Sequence, residues 1–212
     1  MCSIIASFDI DRLKELADLN AYRGTHSHSL FIFDKDYKVM YAYRGMGAID
    51  IDKHFRFKQE NDYIVAHQQA PTTDAKDIKS IHPASVGKSY LWHNGIIKDN
   101  EVKRLQELYN SESNWDTELM LMHYAETKNF DDLDGTFACV LYDNEQLYLA
   151  RNEISPLFYN DYGDISSTKF DGSVKVPPNK LLTFNFNDVN MDNVVAEFTT
   201  KENPYFFNNV LT

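Results

Sequence analysis

From Thr136 onward the chain is written almost entirely in strands, and this constrains its fold more than any other feature. Apolar and β-branched runs at 137–142, 146–150, 157–159 and 181–186 are each too short for a helix and are separated by turn residues. The first half adds a buried strand at 3–8, a hairpin pattern at 30–33 and 39–43 around Asp34, Lys35 and Asp36, and further strands at 63–67 and 89–93. Only three stretches carry helical spacing. One is Ile10, Leu13, Leu16, Ala17 and Leu19 behind Asp9 and Asp11; the others run near 100–109, with Val102, Leu105 and Leu108 on one face, and near 116–125. Few helices and many strands, not in strict alternation, predict an α+β layered sandwich. With no repeat, low-complexity tract or Gly/Ser/Pro linker, residues 1–212 read as a single domain.

Composition narrows the functional classes. Lys and Arg number 21 against 32 acidic residues, a net charge of −11, and no basic run exceeds Lys103 and Arg104. A phosphate backbone is a poor partner for such a surface, so no nucleic acid is expected. No stretch approaches the roughly 20 apolar residues that span a bilayer, and the first residues lack a signal pattern, so no membrane is expected. Two cysteines, Cys2 and Cys139, make no disulfide framework, which points to the cytoplasm.

Chemistry concentrates first at Cys2. Directly behind the initiator methionine, its small side chain permits removal of Met1, which would leave a thiol and an α-amine on one residue. An amine of pKa about 7.7–8.0 can take the thiol proton, directly or through water, so one residue would supply nucleophile and base. Read blandly, position 2 is a frayed end or a buried small hydrophobe. A strand next runs into Asn94 and Gly95. That pair is ordinarily a turn, yet a side-chain amide beside a glycine N–H is also a pair of oxyanion donors. Asp116 and Glu118 open a predicted helix, where acidic residues complement the dipole. His26 and His28, or His67, His82 and His93, lack the spacing of a metal motif, and neither a metal nor another cofactor is expected. The acidic clusters at 112–116 and 131–134 read as solvated loops.

Taken in order, these segments resemble one family. Cys2 before a strand, Arg23-Gly24-Thr25-His26-Ser27, His67-Gln68-Gln69-Ala70-Pro71-Thr72, His93-Asn94-Gly95-Ile96-Ile97, Asp116-Thr117-Glu118 and Leu133-Asp134-Gly135-Thr136-Phe137-Ala138 are similar to the class II glutamine amidotransferases, whose glutaminase domains are N-terminal-nucleophile hydrolases. The likeness continues through Leu149-Ala150-Arg151-Asn152, Ser155-Pro156-Leu157-Phe158-Tyr159 and Val176-Pro177-Pro178, covering roughly 2–186 and leaving 187–212 unmatched.

The resemblance implies a four-layer αββα sandwich. It implies that Cys2 attacks the side-chain amide of glutamine, giving a thioester and ammonia, with Asn94 and Gly95 as the oxyanion hole. Asp116 matches the acid that pairs with the substrate ammonium, Arg23 a loop arginine near the nucleophile, and Thr72 a threonine of the substrate loop. Because the pattern uses nearly the whole chain, a free-standing glutaminase serving a separate ammonia-acceptor synthetase or transferase is expected.

Three departures qualify this. Gln69 stands where the family places an arginine that forks onto the substrate carboxylate; a neutral amide in place of that charge could cost about 2–3 kcal/mol of binding. Arg44 and Arg56 are candidates to compensate. Ser3 replaces a glycine after the nucleophile, and His26 replaces an aspartate. Two alternatives stay open: a catalytically silent glutaminase-like binding or regulatory module, and an amidohydrolase for an amide lacking the α-carboxylate.

Overall fold

A computed structural model of the protein describes residues 2–70, 80–186 and 193–201. Each strand alternates its side chains between two packing layers, and that alternation generates the architecture. The first sheet contains β1 (Ser3–Ser7), β2 (Ser27–Phe33), β3 (Val39–Met46) and β4 (Tyr63–Gln69). It is extended by the two-residue strands β9 (Phe158–Tyr159), β10 (Ile165–Ser166) and β11 (Val174–Lys175). The second sheet contains β5 (Ala84–Val86), β6 (Ser89–Ile97), β7 (Gly135–Asp143), β8 (Gln146–Arg151), β12 (Lys180–Phe184) and β13 (Val194–Glu197). Their orders are β11-β9-β10-β1-β4-β2-β3 and β13-β12-β8-β7-β6-β5, and every pairing is antiparallel.

Ile4 and Ala6 of β1 face the second sheet, where they meet Trp92, Val140, Leu149 and Phe184, whereas Ile5 faces outward onto Leu13 and Leu16. Those leucines belong to α1 (Ile10–Asn20), which Asp9 caps by accepting a 2.8 Å hydrogen bond from the Arg12 amide. The outer face of the second sheet, with Leu91, Phe137, Cys139 and Leu141, is covered by Leu105 of α2 (Asp99–Tyr109) and Leu119 and Met120 of α3 (Asp116–Thr127). The layers therefore run α-β-β-α. No helix among the described residues is long and apolar enough to cross a membrane.

Two details depart from the periodic reading. Leu19 and Leu108 are 39% and 56% exposed, because the apolar stripes run instead through Leu13, Leu16 and Ala17, and through Val102, Leu105 and Tyr109. The Asn94-Gly95 pair makes no turn but lies inside β6, opposite Ala138 and Phe137. Gly95 has φ +153°, and a Cβ there would lie 1.8 Å from the Thr136 carbonyl oxygen. Glycine is thus required by the close approach of the neighbouring strand.

Candidate functional site

Register places Cys2 at one end of the first sheet. Ser3 pairs with Gln68, so Cys2 lies across from Gln69, and its Sγ is 4.0 Å from the Ala70 carbonyl oxygen. Arg23, buried at the end of a single 3-10 turn, donates from Nε to the Cys2 carbonyl at 2.8 Å. Gly24 lets this turn lie flat on the end of β4: a Cβ there would come within 2.3 Å of the Ala70 nitrogen. The His26 amide adds a 2.9 Å bond to the Gln69 carbonyl. Thr72 lies outside the described residues.

The Gln69 side chain is fully buried, and its amide enters a chain of hydrogen bonds that crosses to the second sheet. Gln69 Oε1 is 3.2 Å from His82 Nδ1, His82 Nε2 is 3.1 Å from Thr117 Oγ1, and Thr117 Oγ1 is 3.1 Å from His93 Nδ1. Both imidazoles can be neutral in an assignment that satisfies these contacts and leaves His93 Nε2 facing the Thr136 carbonyl oxygen, 3.5 Å away. His93 Nδ1–H donates to Thr117, whose hydroxyl donates to His82 Nε2; His82 Nδ1–H donates to Gln69 Oε1, and Gln69 Nε2 donates to the Ser80 carbonyl at 3.3 Å. Burial pushes the His93 pKa below its ordinary value of 6.5, against the opposing pull of Asp116.

Asp116 opens α3 with its side chain 26% exposed. Its Oδ1 accepts from the Thr117 amide at 2.7 Å and its Oδ2 from the Ile97 amide at 3.3 Å; Oδ2 also lies 3.9 Å from His93 Nδ1. One carboxylate therefore stands at the lip of the second sheet, held by backbone and still reachable from solvent.

Asn94 is 3% exposed and bridges the two sheets. In the amide orientation that satisfies its neighbours, the oxygen accepts from Ser167 Oγ at 2.5 Å and the Ile4 amide at 3.1 Å. The nitrogen donates to His67 Nε2 at 3.1 Å and the His93 carbonyl at 3.3 Å. His67 in turn stacks on His82 with centroids 4.2 Å apart. Every polar atom of the Asn94 side chain is thus engaged within the fold.

The predicted residues fall into two groups. Cys2, Arg23 and Gln69 gather at the end of the first sheet, while Asn94, Gly95 and Asp116 lie along β6 and the start of α3. His82, Thr117 and Ser167 join the groups, and sequence reading assigned none of them a part in the site. Nothing in their spacing marks them, since their partners are 13 to 163 residues away. Other matched segments are structural pins. Arg151, 3% exposed, donates to the carbonyls of Val176, Asn152 and Ser155, and Asn152 donates to the Gly135 carbonyl. Among the described residues no three His, Cys, Asp or Glu side chains are grouped to hold a metal.

Residues 67–169 match the family model described as a glutamine amidotransferase domain. The glutamine-fructose-6-phosphate aminotransferase (isomerizing) of Buchnera aphidicola subsp. Acyrthosiphon pisum is 29% identical over 173 residues, which is 72% of this chain and 28% of that protein. Among solved structures, the glutamine phosphoribosylpyrophosphate amidotransferase from B. subtilis, complexed with ADP and GMP, superimposes with a TM-score of 0.63 at 17% identity. A structure described as the allosteric regulatory enzyme of purine biosynthesis gives 0.66, also at 17%. Both are covered for 48% of their length by 89% of this chain. The chain spans less than a third of the curated relative and about half of each solved structure.

Proposed function

Because this chain carries a class II glutamine amidotransferase domain, we propose that it is a glutaminase acting through Cys2 and passing ammonia to an acceptor enzyme or domain. The observation that carries this reading is the register of β1, which sets the Cys2 thiol at the end of the sheet across from Gln69, its carbonyl held by Arg23. Loss of Met1 frees the α-amine as base. The Cys2 sulfur then bonds to the side-chain carbonyl carbon of glutamine, the thiol proton passes by way of the amine to the departing nitrogen, and ammonia leaves a thioester. Water cleaves that thioester, giving glutamate and the free thiol. Asp116 takes the substrate ammonium, and the region around Asn94 and Gly95 takes the oxyanion, with the Asn94 amide turning from His67 towards the developing charge. Thr72 is assigned to the substrate loop by motif alone. The two free cysteines suit a cytoplasmic setting.

The test follows ammonia and glutamate from glutamine, using protein whose intact mass shows Met1 removed. Turnover that disappears to background in Cys2→Ala is expected; none in the processed protein, with an acceptor present, refutes the reading.

A second reading is favoured by Gln69. It is fully buried, neutral and bonded to His82 and Ser80, where the resemblance expects a cation for the α-carboxylate. The fold then serves a different amide, or binds without turnover. A panel of amides with and without an α-carboxylate separates substrates, and labelling of Cys2 by an electrophilic glutamine analogue separates an enzyme from a silent module.

A further inference from the structure

A cleft opens between the edges of the two sheets. β3 ends the first sheet and β5 ends the second, and between them lies a space of about 620 Å³ with Phe31, Tyr43, Arg44, Ser85, Trp115 and Glu118 on its walls. Arg44 sits opposite Ser29 and reaches towards the second sheet, where Nη2 donates to the Pro83 carbonyl at 2.8 Å. Its guanidinium carbon is 5.7 Å from the centre of the Phe31 ring, and its buried Nε has no hydrogen-bond partner. Half-burial lowers its pKa, and no acidic residue among those described is paired with it. Across the cleft, half-buried Glu118 accepts from Ser113 Oγ at 2.6 Å and has no cationic partner among the described residues.

Charges withdrawn from water are ordinarily paired, because desolvation without a counter-charge is costly. Here one cation and one anion line the same cleft, pair with no other described charge and do not meet each other. A ligand carrying both signs would complete them. We propose that this cleft binds a free α-amino acid, its carboxylate forked by Arg44, its ammonium on Glu118 and its side chain against Trp115 and Tyr43. The site stands apart from Cys2, because β4 and β2 lie between β1 and β3; the His82–Pro83 segment touches both, Pro83 holding Arg44 while His82 holds Gln69 and packs edge-on against Trp115 at 5.3 Å. It is independent of the glutaminase reading, and the occupant is either glutamine or glutamate from that reaction or an unrelated amino acid.

The experiment is a calorimetric titration of the Cys2→Ala protein with glutamine, glutamate, leucine and phenylalanine, with acetate and methylamine as single-charge controls. At least one amino acid saturates below about 10 mM and outcompetes either control. Arg44→Met and Glu118→Gln each weaken that binding about tenfold or more, Ala42→Trp occludes the cleft with Arg44 intact, and in Asp116→Asn, where glutamine and glutamate have lost the ammonium contact proposed at the Cys2 site, a saturable site sensitive to Arg44→Met remains. Which amino acid binds separates the two sources. No saturation by any amino acid, unchanged affinity in Arg44→Met, or the disappearance of all saturable binding in Asp116→Asn, which would move the ligand to the Cys2 site, overturns the proposal. Should Arg44→Met fail to fold, Glu118→Gln and Ala42→Trp decide it.

Discussion

The space between the two sheets is apolar along most of its length and polar at one end, although both parts are built by the same two-residue alternation. In the apolar part, Phe31 meets Trp92 edge-on at 5.1 Å, Phe33 meets Tyr142 at 5.2 Å, and Tyr63 meets Phe184 at 5.1 Å. At the polar end the same faces of β1, β4 and β6 present Cys2, Gln69, His67 and Asn94. Aromatic surface stabilises in proportion to the area removed from water, so many arrangements of similar volume would serve. Buried amides and imidazoles stabilise only when each donor faces an acceptor, so the polar end tolerates few arrangements. The difference separates the part of the gap that holds the sheets together from the part that fixes the chemistry.

Trp92→Ala should break the apolar part hardest, costing about 3–5 kcal/mol. A lower denaturant midpoint with an unchanged slope would register this, and a loss below about 1 kcal/mol would mean that the polar end carries the sheet pairing. Gly95→Ala comes next at about 1–3 kcal/mol, since the new Cβ collides with the Thr136 carbonyl at a positive φ. Thermal unfolding measures it; tolerance would show that β6 and β7 can separate locally. Thr117→Val removes the hydroxyl between His82 and His93 at nearly constant volume and should cost about 1–3 kcal/mol, with Thr117→Ser restoring most of it. Equal stability of the Val and Ser variants would dissolve the contrast between the two parts of the gap.

The smallest effect is a pH dependence. The His93 pKa is lowered in the fold, as are those of His54 and His123, in each case chiefly by burial. Below 6.5 the unfolded chain therefore binds more protons than the native one. Stability is complete above that pH and declines as pH falls from 6.5 towards the folded values. In His93→Gln the slope of stability against pH in that window should be shallower; an unchanged slope would remove His93 from the buried set.

Much of the fold was readable from residue order. The strands at 3–8, 63–67 and 137–142 and the hairpin about Asp34 are found close to where their apolar runs put them; β1, β4 and β7 are buried on both faces, whereas β3, at the sheet edge, is largely exposed. The strands β5, β10, β11 and β13 were not read, since two to four residues are too short to carry a period. At the site, Cys2, Asn94 and Asp116 stood out by residue type and order. Their settings did not: Asn94 was weighed as a turn residue and lies in mid-strand, bonded across the gap to a backbone amide 90 positions earlier in the chain.

Sequence alone therefore determined the class of fold, the position of the longer strands and the residue types able to do chemistry, because apolar patterning and side-chain identity are local properties. Tertiary structure decided which polar groups share protons, that Gln69 answers to His82, and that Arg44 and Glu118 line one cleft with no ion-pair partner among the described residues. Those outcomes depend on distances between strands paired across scores of residues, and such distances exist only once both sheets have closed on one another.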